Sequence, residues 1–328
     1  MIEISNEELM TFTNFIESHD FFYIIGHKEP DGDCVASCLG LKAILDYKNK
    51  PCQLLSAGPF KKTEIREYEE YFSSEMDFLS EAERKRTGLF ITDCSELSRL
   101  GEIDGDLKGL DTFIIDHHKT STCPENSHSI IDSSCPAAAL LIQSLYEKTC
   151  GKIPAETAKI LYFGIMTDTG FFRFLSENDA NVLVQISRLL EAGANPRKTY
   201  DKITGGKPFN TRKLLGILLS RAERYLDGRL VITWETMEDT YKYGQEGRDS
   251  DMLYSSFLSV QGVEAVVFLR QESENNCTGG LRSKDKVDVS IVASKFGGGG
   301  HKNASGLGCE GRLENLIPRV VKEFARIM

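Results

Sequence analysis

The chain has 328 residues and a mass of 36.7 kDa, which exceeds the usual ~150–200 residues of one domain and predicts two. Hydrophobic residues make up 41% and charged residues 27% of the sequence, which is typical of a soluble globular protein. A net charge of −10 argues against long duplex nucleic acid as a partner, because that binding relies on Lys and Arg pairing with phosphates.

The amino terminus and the cysteines indicate a cytoplasmic protein. The first residues of the chain include Glu3, Glu7 and Glu8, whereas a secretory signal has a basic region followed by an apolar core. Nine cysteines without CxxC pairs argue against a disulfide framework and against a thiolate zinc site. No apolar run approaches the ~20 residues of a membrane span, so we expect no membrane partner.

Short apolar runs alternate with helical patterns through residues 1–194. The runs predict strands at Phe21 to Ile25, Cys52 to Ser56, Leu89 to Ile91, Phe113 to Ile115 and Ser129 to Asp132. The patterns between and after them predict helices at Cys34 to Asn49, Thr63 to Arg86, Pro136 to Cys150, Ala155 to Met166 and Asn178 to Ala192. This order predicts an α/β domain with a parallel sheet.

The character of the chain changes after residue 194. Residues 195–228 predict a linker, of which Thr211 to Leu226 forms a bridging helix. Strands are expected at Leu230 to Trp234, Ala265 to Leu269, Cys277 to Arg282 and near Leu307, with helices at Val287 to Phe296 and Leu313 to Ile327. Residues 229–328 therefore predict a smaller α+β domain, with a cleft between the two domains.

Polar residues follow the ends of several predicted strands. His27, Asp31 and Asp33 come after the first, Asp93 follows the third, and His117 follows the fourth. Carboxyl ends of parallel strands lie at one edge of a sheet, where open α/β folds bind ligands. For the first stretch alone, an alternative stays open in which Asp33 only caps the next helix and His27 has no role.

Six candidate metal ligands result from this pattern. They are His27, Asp31, Asp33, Asp93, His117 and Asp168. Nitrogen and carboxylate ligands suit Mn²⁺ or Mg²⁺, and six of them suffice for two cations that share one carboxylate. Two such cations activate a water and stabilise in-line displacement at phosphorus, so the pattern predicts phosphoester hydrolysis.

These motifs, in this order, resemble the DHH/DHHA1 phosphoesterase family over nearly the whole chain. They are the HxxxDxD stretch at His27, the strand end at Asp93, Asp116-His117-His118, Thr167-Asp168-Thr169-Gly170 and the glycine-rich segment from Phe296 to Gly306. The last motif points to the branch of oligoribonuclease/pAp phosphatases, beside RecJ-like exonucleases and cyclic-dinucleotide phosphodiesterases.

The resemblance implies specific roles at the metal site. His27, Asp31 and Asp93 would hold one Mn²⁺; Asp33, Asp93, His117 and Asp168 would hold the other, with Asp93 as the bridge. His118 would face the scissile phosphate or its leaving oxygen, and Asp116 would orient a neighbouring histidine. A structural histidine bonded to the backbone is the alternative for His118.

The resemblance also implies a substrate clamp in the second domain. Its residues would be Arg282, Gly298, Gly299, Gly300 and His301, which would grip a terminal phosphate or nucleotide. Arg173 falls where the family often has Asp-Thr-Gly-x-Phe-Arg and would also serve phosphate. A flexible glycine loop and a surface arginine are the alternative interpretations.

Short substrates fit a clamp on a terminal phosphate next to the metals. We expect short oligoribonucleotides, linear dinucleotides such as pApA and pGpG, and pAp as substrates. A RecJ-like single-strand exonuclease, a cyclic-dinucleotide phosphodiesterase and a catalytically silent nucleotide sensor are the alternatives. A homodimer is compatible with the sequence.

Overall fold

The computed structural model of the chain describes residues 4–77, 79–118, 123–124, 127–244, 249–284 and 286–328. The protein divides into two compact units, Met1–Gly206 and Lys207–Met328. This division falls inside segment 195–228, which the sequence predicts as a linker. The domain boundaries at residues 194 and 229 stay a prediction.

The first unit contains a five-stranded sheet in which the strands pair in parallel. Its strands are β1 Phe21–Ile25, β2 Cys52–Leu55, β3 Thr87–Thr92, β4 Asp111–Asp116 and β5 His128–Ile131. Their order across the sheet is β2-β1-β3-β4-β5. The parallel sheet predicted from the sequence is therefore confirmed.

Both faces of this sheet are buried. The α-helices of the unit are α1 Asn6–Ser18, α2 Gly32–Tyr47, α3 Glu81–Arg84, α4 Ala138–Thr149, α5 Ala155–Asp168, α6 Ala180–Glu191 and α7 Pro196–Thr204. Successive strand residues point to opposite faces. Phe22 and Ile24 therefore pack into one apolar cluster with Phe90, while Tyr23 and Ile25 pack into another. Burial on both faces explains the continuous apolar runs in the sequence.

Two glycines allow α2 and α5 to pack closely. A Cβ at Gly164 would lie 2.4 Å from the Cβ of Ala36, and a Cβ at Gly32 would lie 2.4 Å from Thr167 Oγ1. Larger residues at these positions would force the helices apart. The packing brings the amino-terminal end of α2 beside the carboxyl-terminal end of α5.

The predicted helix from Thr63 to Arg86 is interrupted. Thr63–Tyr71 forms a 3₁₀ helix, and the short α3 follows only after an extended stretch. In that stretch Ser73 forms an isolated bridge with the end of β2, and Glu75 forms one with Asp104. These long-range pairings hold the backbone extended, and the charged sequence gives no local sign of them.

The second unit contains a mixed six-stranded sheet. Its strands are β6 Glu223–Tyr225, β7 Leu230–Glu235, β8 Ala265–Ser273, β9 Asn276–Ser283, β10 Gly299–His301 and β11 Ala304–Glu310. Their order is β10-β11-β9-β8-β7-β6. The pairing of β7 with β8 is parallel, and the other pairings in this order are antiparallel.

Helices cover both faces of the second sheet. They are α8 Phe209–Arg221, α9 Met237–Tyr243, α10 Ser250–Leu258, α11 Val289–Ser294 and α12 Leu313–Phe324. Val292 and Leu316 of α11 and α12 pack on one face, while Leu218 and Leu253 of α8 and α10 pack on the other. The predicted α+β fold is confirmed. Within the described ranges, no helix has the length and apolar character needed to cross a membrane.

Candidate functional site

Three predicted ligands lie together at the carboxyl ends of β1, β3 and β4. His27 follows β1, Asp93 follows β3 directly, and His117 follows β4. The Nε2 atom of His27 lies 3.5 Å from Asp93 Oδ2, and that of His117 lies 3.2 Å from Asp93 Oδ1. The parallel sheet therefore brings these three side chains into one cluster.

Asp31 is the N-cap residue of α2. Its Oδ1 accepts hydrogen bonds from the N–H groups of Asp33 and Cys34, both at 3.1 Å. The same oxygen lies 3.9 Å from Nε2 of His27. The residue that caps this helix is thus Asp31, whereas the alternative interpretation of the sequence assigned the cap to Asp33.

Asp33 caps a different helix. Its carboxylate is fully buried and accepts hydrogen bonds from the N–H groups of Ala138 at 2.6 Å and Ala139 at 3.0 Å, at the start of α4. The N-cap residue of α4, Ala137, has no side chain that could accept these bonds. Asp33 Oδ2 also lies 3.9 Å from His117 Nε2. The cap therefore fixes Asp33 at the edge of the cluster.

Asp168 reaches the cluster from α5. The helix continues two residues past the predicted end at Met166, so that Asp168 is its last residue. Its Oδ2 lies 3.3 Å from His117 Nε2. Close packing of α5 on α2 thus adds a carboxylate that does not come from a strand end.

Asp93 lies at the centre of the cluster. Its φ of 56° is in the left-handed region, which few residues other than glycine adopt. The Oδ1 atom is buried and has no hydrogen-bond partner of suitable geometry among the described residues. His117 Nε2 lies 3.2 Å away but out of line for a good hydrogen bond, and a divalent cation is the kind of ligand that would satisfy such a buried carboxylate oxygen.

Potential metal ligands form three overlapping groups. The groups are His27, Cys34 and Asp93; Asp93, His117 and His118; and Asp33, His117 and Asp168, with ligand atoms within 4.8 Å of one another in each. Asp31 lies beside the first group through its contact with His27. These nitrogen and oxygen atoms are chemically suited to a divalent cation.

Cys34 is a member of the first group that sequence reasoning did not single out. A hydrogen bond to Cys38 and burial raise the pKa of its thiol well above the usual range. A neutral thiol is a weak metal ligand, because the thiolate is the form that coordinates. Only its place directly after the HxxxDxD stretch could have indicated its proximity.

Electrostatic repulsion among the carboxylates is strong. Burial and, to a smaller extent, the charge of Asp93 together raise the pKa of Asp168 to about 7. Burial and the charge of Asp93 also raise the pKa of Asp33. Burial would lower the pKa of His117, but the Asp93 and Asp33 carboxylates raise it to about 10. A divalent cation would compensate this negative charge.

Asp116 and His118 form a close pair beside the cluster. Asp116 is the last residue of β4, and its Oδ1 lies 2.7 Å from His118 Nδ1. The same oxygen accepts hydrogen bonds from the N–H groups of His117 at 2.8 Å and His118 at 3.2 Å. A carboxylate in this position orients an imidazole ring and determines which ring nitrogen carries the proton.

The second unit has a basic cavity of about 370 Å³ on one face of its sheet. The residues around it include Tyr254, Phe268, Arg270, Arg282, Gly299 and Gly306. The guanidinium carbon of Arg282 lies 4.8 Å from the centre of the Tyr254 ring. Two of the predicted clamp residues, Arg282 and Gly299, therefore line one cavity. Arg270 lines it too and was not predicted.

The predicted glycine loop is partly a strand. A Cβ at Gly298 would lie 1.9 Å from the carbonyl oxygen of Gly306, and Gly300 has a φ of 141°. Both glycines are required by the fit of β10 on β11. Gly299 has no atom within 4 Å of a Cβ position, so it leaves open space. His301 ends β10 as an exposed residue paired with Ala304.

Arg173 lies on an unusual turn after α5. The three residues before it, Gly170, Phe171 and Phe172, have φ values of 55°, 56° and 67°. Its exposed guanidinium lies 4.8 Å from the centre of the Phe174 ring. The turn places Arg173 five residues beyond Asp168, and its role with phosphate stays a prediction.

Comparisons with known proteins agree with this architecture. Family models match residues 21–165, as the N-terminal domain of the DHH family, and residues 231–328, as a DHHA1 domain. The bifunctional oligoribonuclease and PAP phosphatase NrnA of Thermus thermophilus is 30% identical over 314 residues, covering 93% of this chain and 90% of that protein. The protein of the same name from Bacillus subtilis is 24% identical over 296 residues, covering 89% and 90%.

Solved structures extend the likeness to the whole chain. An exopolyphosphatase-related protein from Bacteroides fragilis has a TM-score of 0.80 and 26% identity, covering 99% of this chain and 98% of that one. A chain of this sequence, fold and site belongs to the DHH family of hydrolytic phosphoesterases. Members of the family depend on metal, and the described clusters have the chemistry to bind one.

Proposed function

We propose that the first unit holds two divalent cations, Mn²⁺ or Mg²⁺, which share the carboxylate of Asp93. The first would be bound by His27, Asp31 and Asp93, and the second by Asp33, Asp93, His117 and Asp168. The observation that carries this proposal is the position of Asp93, with His27 on one carboxylate oxygen and His117 near the other. Bound there, the cations would supply a nucleophile from water and stabilise charge at phosphorus.

The substrates we infer are short oligoribonucleotides, linear dinucleotides such as pApA and pGpG, and pAp. Relatives named as bifunctional oligoribonucleases and PAP phosphatases match this chain over about nine-tenths of its length, which supports the inference. The basic cavity around Arg282 fits a terminal phosphate, because a guanidinium binds phosphate through two parallel hydrogen bonds. Gly298, Gly299, Gly300 and His301 would complete the clamp, with Arg173 as a further phosphate contact.

His118 and Asp116 would act on the scissile phosphate as a pair. Asp116 holds the imidazole of His118 through Nδ1 and so orients the ring, which we infer to act at the scissile phosphate. An imidazole oriented in this way can donate a proton to the oxygen that leaves the phosphorus. A cytoplasmic location and a homodimer also stay proposals, as does the absence of membrane and long duplex partners.

Parallel product analysis tests the proposed function. The purified chain with Mn²⁺ is given pApA, a five-nucleotide RNA, pAp, cyclic di-AMP and pyrophosphate. We expect cleavage of the two linear RNA substrates and dephosphorylation of pAp. Cleavage of only the cyclic dinucleotide would favour the cyclic-dinucleotide phosphodiesterase, and preference for long single strands would favour the RecJ-like exonuclease. Binding without turnover of any substrate would overturn the proposal in favour of the sensor.

The Asp93→Asn variant tests the shared carboxylate. The two side chains have nearly the same shape, but the amide has no charge to share between two cations. Turnover of every substrate should fall by more than about 100-fold. This loss exceeds the usual effect of removing a residue that only hydrogen-bonds a metal ligand. Asp46→Asn is the matched control, because Asp46 pairs with Lys42 on the exposed end of α2. Activity of Asp93→Asn near that of the control would contradict the bridging role.

A further inference from the structure

We propose that Arg270 is a second phosphate-binding residue, so that the cavity of the second unit binds a nucleotide with two phosphate groups, one at Arg282 and one at Arg270. The inference rests on the proposed function, because it specifies the substrate class that the same enzyme takes. Arg270 belongs to none of the motifs that define the candidate site.

The sheet places the two arginines on the same face. β9 pairs Arg282 with Val266, and paired residues of antiparallel strands project from one side of a sheet. Arg270 is an even number of residues from Val266 along β8, so it also projects from that side. At ~3.3 Å per residue, their backbone positions lie about 13 Å apart along the strands. Both side chains line the cavity, so both contribute positive charge to it.

Among the described residues, Arg270 forms a long ion pair with Glu272, but its Nε atom has no hydrogen bond. This Nε atom is buried. The nearby Oε1 of Glu272 lies 3.6 Å away, beyond a hydrogen bond, and instead accepts one from Thr278 Oγ1 at 2.7 Å. A buried donor without an acceptor destabilises a fold. A phosphate oxygen would supply the missing acceptor.

Tyr254 lies between the two arginine positions. Its hydroxyl oxygen would be 2.1 Å from a Cβ at Gly280, and Gly280 pairs with Phe268, midway between Val266 and Arg270 on β8. The Tyr254 ring also stacks on the guanidinium of Arg282, with 4.8 Å between the guanidinium carbon and the ring centre. The guanidinium carbon of Arg270 lies 5.7 Å from the ring centre of Phe268, so each positive group lies against its own aromatic ring. A nucleoside with two phosphates would place one phosphate at each guanidinium.

Two glycines leave room for that nucleoside. A Cβ at Gly299 would meet no atom within 4 Å, and one at Gly306 would meet only the carbonyl oxygen of Gly279, at 3.7 Å. Neither glycine has a positive φ among the described residues, so neither packing nor backbone conformation requires glycine there. Glycine weakens a strand and often marks a close approach to a ligand. Among the described residues that line the cavity, none is acidic.

The experiment compares one phosphate with two. Calorimetry on the full chain, with a chelator present to prevent turnover, measures binding of pAp and of AMP. The wild-type chain should bind pAp at least about tenfold more tightly than AMP, as one charged hydrogen-bonding contact allows. Arg270→Gln should remove this preference, and Arg270→Lys should restore part of it. Arg282→Gln should weaken the binding of both ligands.

A matched control separates local from general effects. Arg319 also lies over an aromatic ring, with its guanidinium carbon 5.3 Å from the centre of Phe296, and Arg319→Gln should keep the preference for pAp. An unchanged preference in Arg270→Gln, or equal or absent binding of the two ligands by the wild-type chain, would overturn the inference. Turnover of pApA with Mn²⁺ tests the proposed function separately. If the chain hydrolyses pApA but does not prefer pAp over AMP, only the inference about Arg270 is overturned. If it prefers pAp over AMP but does not hydrolyse pApA, only the proposed function is overturned.

Discussion

Asp116 shows how a single buried oxygen can organise a candidate catalytic histidine. Its Oδ1 contacts the ring of His118 and also accepts from two backbone N–H groups, which together fix the carboxylate. Burial would raise the pKa of Asp116, but the hydrogen bond and charge of His118 hold it below its usual value. Asp116 is therefore ionised and attracts the proton on Nδ1 of His118.

The Asp116→Asn variant should reduce turnover about 10–100-fold, the usual effect of removing a carboxylate that orients a functional histidine. The amide keeps the shape of the side chain but loses the charge that holds the imidazole. Steady-state kinetics with pApA measures the effect, which should fall on kcat more than on KM. Asp111→Asn, at the opposite end of β4, serves as the control. Equal kcat values for the two variants would contradict the role of Asp116.

The crowded carboxylates predict how pH affects the chain without metal. Burial, with the charge of Asp93, raises the pKa of Asp168 to about 7 in the folded protein, whereas an unfolded Asp titrates near 3.9. The unfolded chain therefore releases this proton first, and its ionisation favours unfolding between about pH 4 and pH 7. The melting temperature in chelator should fall over this range, and less steeply in Asp168→Asn.

Addition of Mn²⁺ should reverse the effect of pH. The cation binds ionised carboxylates, so it competes with protons and stabilises the folded chain more as the pH rises. The increase in melting temperature produced by Mn²⁺ should therefore be larger at pH 8 than at pH 5. Two results would contradict the proposed role of Asp168 as a metal ligand. One is a Mn²⁺-induced rise in melting temperature that is the same at pH 5 and pH 8; the other is an equal change of melting temperature with pH in the wild type and Asp168→Asn in chelator.

The sequence shows candidate ligands that follow strands more directly than it shows contacts between distant elements. His27, Asp93 and His117 follow apolar runs, and parallel pairing brings them together. The cap that Asp33 provides for α4 joins residues more than 100 positions apart, and no local pattern records it. Arg270 likewise becomes visible only when the register of β8 and β9 is known.

Strand β10 shows that one glycine run serves two purposes. Gly298 lies against the carbonyl oxygen of Gly306, so a side chain at 298 would push β10 away from β11. Gly299, the next residue, faces open space and the cavity. Close packing and open space therefore follow each other at residues 298 and 299.

We expect Gly298→Ala to lower the free energy of unfolding by about 1–3 kcal/mol, as other changes that overfill a packed site do. Gly299→Ala should change it by less than about 0.5 kcal/mol, because the added methyl group meets no neighbour. Denaturant titration of both variants measures the difference. Similar losses in the two variants would show that β10 does not pack on β11 as described.

Apolar patterns in the sequence predict a strand or helix well when the apolar residues of that segment are the ones buried in the core. β1, β3 and β4 are continuous apolar runs, because helices cover both faces of their sheet. The glycine run gave no such pattern, and its pairing with β11 depends on contacts across a turn. Segment 195–228 was predicted as a linker, yet it contains α7, whose start is capped by Asn195 with Pro196 in the first turn.

The acidic candidate metal site and the basic cavity belong to different units of the molecule. The carboxylate-rich cluster belongs to Met1–Gly206, and the cavity lined by Arg270 and Arg282 belongs to Lys207–Met328. A metal cation should therefore bind one unit and a nucleotide phosphate the other. Each ligand should suppress local opening most strongly in the part of the protein that it contacts, and local opening is measurable by hydrogen exchange.

Hydrogen-exchange mass spectrometry should separate the two ligands. Mn²⁺ alone should slow exchange at the ends of β1, β3 and β4 and at the start of α2, and have little effect on β9 and β11. In chelator, pAp should slow exchange in β9, β11 and α10 instead. Asp93→Asn should lose only the response to Mn²⁺, and Arg282→Gln only the response to pAp. Equal protection of both units by Mn²⁺ alone would contradict this division, because the cation would then have ligands in the second unit as well.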